Sequence, residues 1–213
     1  MSYTVASAVE DPDLIQKRRK QIVDAATELF AKDGFFRTTI KDIAKLAGVS
    51  PGLVYQYVTD KDDVLLLVLL EVVEAYAREL PVAIAKASSP LDRLVAAISA
   101  YCHIVDERRA ATVLAYRSTK SLPKHKREII QRGETQTNQI IADVIQECIE
   151  GGHIRDVNPE LFAYQIVMNA HAWALKAWHL KTICTLEQYI DQSVSILLRG
   201  VLTKRGEAEL TGR

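Results

Sequence analysis

The apolar residues of this 213-residue chain recur at the three- and four-residue spacing of α-helices, and no run alternates as a strand does. Capping residues, glycines and prolines divide this pattern into segments. The predicted helices cover residues 22–35, 39–47, 50–58, 60–80, 91–105, 107–119, 124–150, 158–180 and 185–202. The sequence therefore predicts an all-α fold of about nine helices, with a break at Pro81 after the fourth.

Capping residues predict a helix-turn-helix just after the first helix. Thr39 is followed by Asp42 at the spacing of a capping box, which begins a helix. Gly48 follows the last turn of that helix, where a left-handed backbone costs glycine little. Ser50 then caps a second helix, with Pro51 at its first position. The gap of about three residues between the two helices is the one this motif requires.

The second helix of the motif carries side chains that suit a DNA groove. Gln56 can bond an adenine edge in two places, and Leu53 can touch a thymine methyl group. Lys61, at the start of the next helix, can neutralise a phosphate. The candidate DNA-contacting residues are Thr38, Thr39, Ser50, Pro51, Gly52, Leu53, Tyr55, Gln56, Tyr57 and Lys61. The alternative interpretation is a plain helical hairpin with two surface tyrosines.

Three segments near the N-terminus resemble the DNA-binding domain of the TetR family of transcriptional regulators. They are residues 22–35 (IVDAATELFAKDGF), 38–50 (TTIKDIAKLAGVS) and 52–65 (GLVYQYVTDKDDVL). The chain departs from the family pattern at two positions. Val58 stands where the family usually has phenylalanine, and Pro51 stands where many members have lysine.

The resemblance implies a domain organisation and a mode of action. An N-terminal arm and three-helix DNA-binding domain would cover residues 1–64. A helical ligand-binding and dimerisation domain would cover residues 65–205, followed by a C-terminal tail at residues 206–213. Such a protein is expected to repress transcription by binding a palindromic operator in double-stranded DNA as a homodimer, until a small-molecule effector releases it.

The charge of the chain gives DNA binding little general support. The 27 Lys and Arg residues balance the 27 Asp and Glu residues, and residues 1–64 contain nine basic and ten acidic residues. Affinity for phosphates must therefore come from local basic groups, such as Arg37, Lys41 and Lys45. The basic run at residues 17–20 is equally consistent with DNA contact and with a solvated start of a helix.

Other features of the sequence indicate a cytoplasmic protein without a metal or other cofactor. The longest apolar run, residues 64–70, is too short to span a membrane, and the N-terminus lacks an apolar signal core. The three isolated cysteines, Cys102, Cys148 and Cys184, suit a reducing compartment. His171 and His179 could share a helix face, but no third metal ligand is evident nearby.

The last two predicted helices are apolar on more than one side, so each needs more than one packing partner. Together with the family resemblance, this pattern predicts a homodimer closed by a four-helix bundle. The candidate interface residues are Phe162, Ile166, Ile190, Val194, Leu197 and Leu198. The alternative is that both helices lie inside the core of one chain.

The sequence also offers candidate residues for an apolar effector site. The candidate lining residues are Tyr76, Tyr101, Tyr116, Arg117, Met168, Trp173 and Trp178. Such aromatic residues are more often ordinary core. Residues 116–127 carry five Lys and Arg residues, which suit either an anionic head group or simply a solvated loop. An apolar cavity with a basic rim would fit an acyl-CoA or another apolar acid.

Two other functional classes are alternatives to a ligand-responsive regulator. The first is a DNA-binding regulator that responds to a protein partner and has no small-molecule ligand. The second is a helical enzyme, which the sequence disfavours because it lacks paired carboxylates, a nucleophile elbow and a glycine-rich phosphate loop.

Overall fold

The computed structural model describes Val5 and residues 7–211. The α-helices are α1 Pro12–Asp33, α2 Ile40–Leu46, α3 Pro51–Tyr57, α4 Lys61–Ile84, α5 Pro90–Glu107, α6 Arg109–Ser118, α7 Lys124–Glu150, α8 Pro159–Leu175, α9 Ala177–Ile183, α10 Leu186–Arg199 and α11 Lys204–Thr211. A short 3-10 helix, Thr119–Ser121, precedes α7. Within the described residues the only strand-like pairing is an isolated bridge, so the predicted all-α class is confirmed. Residues 1–4 and 6 of the predicted arm, and residues 212–213 of the predicted tail, lie outside the described residues.

Helix α1 begins at Pro12, well before the apolar stretch that predicted it. Asp11 caps this helix, because its side chain accepts hydrogen bonds from the backbone N–H groups of Asp13 (3.0 Å) and Leu14 (3.2 Å). The first turns are polar, so hydrophobic periodicity alone does not detect them. The helix ends at Gly34, whose φ of +85° is a conformation that glycine adopts readily.

Among its described residues the structure has two more α-helices than the nine that the sequence predicts. The predicted helix over residues 158–180 is divided into α8 and α9, because Lys176 (φ −115°, ψ 18°) leaves the helical conformation. Most of the predicted tail forms α11. Gly206 lets α11 approach the turn before α8 closely, since a Cβ atom there would lie 2.1 Å from the carbonyl oxygen of His153. The Thr203 hydroxyl donates to the carbonyl of Gly152 at 2.7 Å and secures this contact.

The predicted break at Pro81 is wrong, because α4 continues to Ile84. Proline removes one N–H donor, and here the carbonyl that loses its partner belongs to the exposed Ala77, which water can reach. Helical bonding resumes at once, since Ala85 N–H donates to the carbonyl of Pro81 at 3.0 Å. A proline in the last turn of a helix is therefore tolerated at low cost.

The chain folds as two compact units, each built from two segments. The first unit comprises Met1–Val73 and Ala110–Gly133, and the second comprises Glu74–Arg109 and Glu134–Arg213. The first unit thus contains α1 to α3 together with the beginning of α7. The sequence-based boundary after residue 64 stays a prediction.

Each unit has its own apolar core. In the first unit α1, α2 and α3 pack together, and Ala26, Ile43 and Val54, one from each helix, have no exposed surface. In the second unit α5 packs against both α8 and α10, with Leu94 and Cys102 of α5 fully buried. No helix among the described residues is both long enough and apolar enough to cross a membrane.

Candidate functional site

The helix-turn-helix forms with the predicted capping chemistry. Thr39 and Asp42 make a reciprocal capping box, in which Thr39 Oγ1 accepts from the Asp42 N–H at 3.2 Å and Asp42 Oδ2 accepts from the Thr39 N–H at 2.9 Å. Gly48 has a φ of +68° and closes α2. Ser50 Oγ accepts from the Leu53 N–H at 3.2 Å and caps α3. Local sequence alone therefore determines where α2 and α3 begin and how they are joined.

Helix α3 exposes one face and buries the other. Its exposed residues are Pro51, Gly52, Tyr55 and Gln56, with Leu53 half-buried at the margin. Tyr55 is 55% exposed, whereas Tyr57 is only 2% exposed. The two tyrosines are two positions apart on a helix and therefore point in different directions. Thr39, Lys41 and Lys45 are also exposed, so polar groups of α2 accompany this face.

Three candidate DNA-contacting residues are turned inward, which corrects their expected exposure. Tyr57 lies in the core. Thr38 is buried and its hydroxyl donates to the carbonyl of Gly34 at 2.9 Å. The Lys61 ammonium donates to the carbonyls of Phe35 (2.8 Å), Phe36 (3.2 Å) and Thr38 (2.9 Å). Thr38 and Lys61 thus hold the turn between α1 and α2 through their polar groups, and Tyr57 packs in the core.

The carboxyl end of α3 is held by residues that no sequence pattern indicated. Arg19 of α1 donates through Nε and a terminal nitrogen to the carbonyl of Tyr57 at 3.2 and 3.1 Å, and it also donates to the carbonyl of Val5. The Ala8 N–H (2.8 Å) and the Ser7 hydroxyl (3.1 Å) donate to the carbonyl of Gln56. Helix C-termini leave carbonyls without helical partners. The N-terminal arm and one arginine of the basic run satisfy them here.

The turn between α3 and α4 contains an ionic cluster in which Lys126 and Asp63 are buried and Asp60 is exposed. Lys126, at the start of α7, places its ammonium 2.9 Å from Asp60 Oδ1 and 2.8 Å from Asp63 Oδ1. Asp63 Oδ2 accepts from the Thr59 N–H at 2.8 Å. The Asp63 N–H donates to Asp60 Oδ1 at 2.7 Å, which confirms Asp60 as the cap of α4. Lys126 is therefore engaged inside the first unit, although its sequence context suggested an anion-binding loop.

The protonation of this cluster follows from its pairing. Burial opposes ionisation of Asp63, but hydrogen bonds from Lys126 and Thr59 outweigh burial and hold the pKa of this carboxyl below its usual value. Burial also opposes the charge of Lys126, yet its bonds to Asp63 and Asp60 raise the pKa of the ammonium. The stability from the pair is therefore complete above the ordinary pKa of Asp, about 3.9, and below that of Lys, about 10.4. It is lost outside that window.

A second polar cluster lies within the second unit. The rings of Tyr76 and Tyr101 are stacked with centroids 4.1 Å apart, and their hydroxyls lie 3.4 and 3.2 Å from Nε2 of His171. Trp173 Nε1 donates to Asp106 Oδ1 at 2.9 Å. The structure thus brings two of the predicted effector residues together around a histidine, and it gives the predicted Trp173 a separate carboxylate partner.

The remaining effector candidates are exposed side chains. Tyr116 and Arg117 are exposed and belong to the first unit. Met168 and Trp178 are exposed on the second unit, by 50% and 77%. A role for these four residues in binding an effector stays a prediction.

The half-buried His171 predicts an acid-dependent loss of stability. Burial lowers the pKa of His171 to about 4, whereas an unfolded histidine titrates near pH 6.5. Below pH 6.5 the unfolded chain binds the extra proton first, so stability from the neutral imidazole is present above that pH and falls toward pH 4. The free energy of unfolding of the unsubstituted protein should therefore fall by up to about 3 kcal/mol on acidification. We expect His171→Gln to abolish this loss.

Urea denaturation at pH 7, 5.5 and 4 measures this effect, with circular dichroism as the probe. His125→Gln is the matched control, because His125 is exposed. If the His171→Gln variant loses as much stability on acidification as the unsubstituted protein, another group is responsible.

Comparison with known proteins gives this geometry a family. Residues 22–68 match the family model described as bacterial regulatory proteins, tetR family, and residues 87–201 match the model described as tetracyclin repressor-like, C-terminal domain. The chain belongs to the TetR family. It is a helix-turn-helix transcriptional regulator and not an enzyme.

Relatives of this TetR-family regulator cover nearly its whole length. It is 47% identical over 207 residues to the HTH-type transcriptional regulator HbdR of Aromatoleum sp. (strain CIB), covering 97% of this chain and 90% of the relative. It is 24% identical to the HTH-type transcriptional repressor KstR2 of Mycolicibacterium smegmatis, covering 94% of this chain and 98% of the relative.

Solved structures share the fold of the regulator. The structure of the ketosteroid transcriptional regulator KstR2 of Mycobacterium tuberculosis matches with a TM-score of 0.73 at 22% identity, covering 94% of this chain and all of that chain. AibR, crystallised in complex with isovaleryl coenzyme A and operator DNA, also matches with a TM-score of 0.73, at 18% identity over 84% of this chain and 97% of that one.

The structure changes which residues of the regulator are available for a dimer interface. Four of the predicted interface residues are buried within one chain, each 5% exposed or less: Phe162, Ile166, Ile190 and Leu198. Val194 and Leu197 are half-buried. The large exposed apolar residues on α8 and α10 are Leu161, Tyr164, Met168 and Ile196. Most of the predicted interface residues therefore face the core of their own chain, and the assignment of the interface to these helices stays a prediction.

The cysteines of the regulator show no sign of catalytic activation. Burial raises the pKa of Cys102 and of Cys148 to about 12, so both thiols stay protonated. All three cysteines are free. Among the described residues, no group of three or more His, Cys, Asp or Glu side chains could hold a metal ion.

Proposed function

We propose that this TetR-family regulator represses transcription by binding a palindromic operator as a homodimer, and that a small effector releases it. The observation that carries the proposal is the exposed face of α3, where the side chains of Tyr55 and Gln56 point away from the core. Neither side chain is needed to bury apolar surface. A capped helix that displays an amide and a phenol beside exposed lysines is suited to DNA.

Each group on this face would have a distinct role. Gln56 would bond an adenine edge, and Leu53 would touch a thymine methyl group. The Tyr55 hydroxyl would contact a phosphate and fix the register of the helix. Lys41 and Lys45 would supply the sequence-independent attraction that the overall charge of the chain does not provide.

The dimer would set the spacing of the operator. In a two-fold dimer the two α3 helices enter successive major grooves, about 34–36 Å or a multiple apart, so the two half-sites are inverted repeats. The exposed apolar residues of α8 and α10 support a self-complementary interface between two copies.

Two substitutions separate base contacts from phosphate contacts. We expect Gln56→Ala to relax the preference at one base pair, costing about 1–3 kcal/mol for the preferred base and little for the others. We expect Lys45→Ala to weaken binding to all DNA sequences alike. It should also reduce the slope of log affinity against log salt concentration by about 1. Fluorescence anisotropy with single-base operator variants at several salt concentrations measures both effects.

The operator for this test would come from mobility-shift assays on the promoters of the regulator's own gene and its neighbours. Lys86→Ala is a control, because Lys86 is exposed and belongs to the second unit. If Gln56→Ala and Lys45→Ala both bind every operator variant with unchanged affinity, α3 is not the recognition helix.

The polar cluster of the second unit supports a carbonyl-containing effector. Phenol hydroxyls of Tyr76 and Tyr101 beside the neutral imidazole of His171 offer hydrogen bonds inside an otherwise apolar core. AibR, which shares the fold, was crystallised with isovaleryl coenzyme A. We therefore propose an acyl-CoA or another apolar acid as the effector class. A thermal-shift screen with acyl-CoAs and aromatic acids, followed by operator release, tests this part.

Control by a protein partner is the second candidate. The side chains of Tyr76, Tyr101 and Trp173 are at most 4% exposed, which favours a ligand domain without an open cavity. Operator binding that persists in the presence of every acid and acyl-CoA in the screen would select this alternative.

A further inference from the structure

Lys126 is buried to an unusual degree for a basic residue in a basic segment. Its side chain is only 11% exposed, whereas the side chain of Lys124, two positions earlier, is 82% exposed. It lies on α7, far along the chain from residues 22–68, which match the DNA-binding family model. Yet the segment that carries it belongs to the same compact unit as α1 to α3.

The two partners of Lys126 flank the point where the recognition helix ends. Asp60 caps α4, and Asp63 accepts from the N–H of Thr59, just after the last turn of α3. The Lys126 ammonium lies within 3 Å of both carboxylates, at 2.9 and 2.8 Å. A single charge from α7 therefore holds together the backbone turn that follows α3.

Arg19 of α1 also holds the end of α3. The Arg19 guanidinium donates to the carbonyl of Tyr57, and its charge interacts favourably with that of Asp63. Positive charges from α1 and α7 thus both act at the carboxyl end of the recognition helix. Asp60 and Asp63 share the one ammonium group of Lys126, and the charge of Arg19 adds to the positive charge that acts on Asp63.

Removal of the Lys126 ammonium would leave two neighbouring carboxylates with too little positive charge. A buried charge that has lost its partner is strongly unfavourable, so the turn would shift to let water reach Asp63. The N–H of Thr59 is bonded directly to Asp63, and the carbonyl of Tyr57, two positions earlier, accepts from Arg19. The carboxyl end of α3 would move with the turn.

We propose that Lys126 is a positioning residue for DNA recognition, through which α7 sets the orientation of α3. This inference rests on the proposed function. Lys126 would be more than a fixed ion pair, because a displacement of the start of α7 would withdraw its ammonium from Asp60 and Asp63. Operator affinity would then depend on the position of a segment that does not touch DNA.

The experiment compares Lys126→Met with Lys124→Met in the full-length protein. We expect Lys126→Met to lower operator affinity at least tenfold, with Lys124→Met within twofold of the unsubstituted protein. Lys126→Arg keeps the charge and should retain most of the affinity. Fluorescence anisotropy on the same operator measures all three variants.

A second pair of measurements separates positioning from a loss of folding. Hydrogen exchange of the free protein should show faster exchange in Lys126→Met confined to the amides of residues 54–65, with unchanged exchange in α5 and α8. Adding Asp63→Asn to Lys126→Met removes the uncompensated charge, so this double variant should recover most of the affinity. Global acceleration of exchange would instead assign Lys126 a purely structural role and overturn the proposal.

The failures of the two proposals are distinguishable. If the unsubstituted protein binds no promoter DNA, the proposed function fails, while hydrogen exchange at residues 54–65 still tests the positioning role. If the unsubstituted protein binds its operator and Lys126→Met binds equally well with unchanged exchange, the positioning proposal alone is wrong.

Discussion

Replacing Tyr57 by alanine is expected to lower the free energy of unfolding by about 3–5 kcal/mol, the range for a large aromatic residue removed from a core. Tyr57, the last residue of α3, is 2% exposed and packs in the core of the first unit. Its loss leaves a cavity beneath the helix and undermines the proposed DNA-binding face as well. Chemical denaturation followed by circular dichroism measures the change, and anisotropy measures the accompanying loss of operator binding.

Tyr55→Ala is the matched control for this substitution, with the same chemical change two positions earlier. Tyr55 is 55% exposed, so its removal should change stability by less than about 0.5 kcal/mol. It should still weaken operator binding several-fold, because a phosphate contact is lost. Equal destabilisation by the two substitutions would contradict the assignment of one tyrosine to the core and the other to the DNA-binding face.

The second large effect is expected at the exposed apolar residues of α8 and α10. Glutamates at both Met168 and Ile196, which are 50% and 70% exposed, should convert the proposed dimer to a monomer. The two DNA-binding domains are then no longer joined, so binding of one to its half-site no longer raises the effective concentration of the other. Operator affinity should therefore fall by about 10²- to 10⁴-fold. Sedimentation velocity gives the oligomeric state, and anisotropy gives the affinity.

Val82→Glu is the control for the double variant. Val82 is also an exposed apolar residue, at 56%, but it lies on α4. Val82→Glu should leave both the sedimenting mass and the operator affinity unchanged. A Met168→Glu, Ile196→Glu protein that sediments as the unsubstituted one does would exclude these residues from the interface.

The beginnings of α2, α3 and α4 could be predicted from sequence because capping is local. Thr39, Ser50 and Asp60 each bond a backbone N–H within three residues, so the chemistry is contained in a short window. The early start of α1 was missed, since its first turns carry no apolar stripe. The cap at Asp11 was the signal that would have found it.

The arrangement of the candidate site was harder to predict because it depends on distant contacts. Lys61 looks like a phosphate ligand in sequence, yet three carbonyls from the turn after α1 engage its ammonium. Arg19 lies in a run of four basic residues, and nothing local distinguishes it from its neighbours. Its partner, the carbonyl of Tyr57, is 38 positions away.

The dimer residues illustrate a different difficulty. Helix α8 is apolar on several sides, and periodicity cannot tell the side that faces its own core from a side that faces a partner. Phe162 and Ile166 lie in the core. Leu161, next to Phe162, and Met168, two positions after Ile166, are exposed. Burial within one chain has to be known before an interface can be assigned.

The two-segment construction of the first unit affects how hybrid regulators should be assembled. A chimera that joins residues 1–68 of this protein to the effector domain of another regulator would carry Asp60 and Asp63 without Lys126. Such a graft would carry the buried Asp63 carboxylate and the exposed Asp60 carboxylate into a protein that lacks their shared ammonium group. Residues 110–133 should be transplanted together with the N-terminal segment, or Asp63 should be changed to asparagine in the same step.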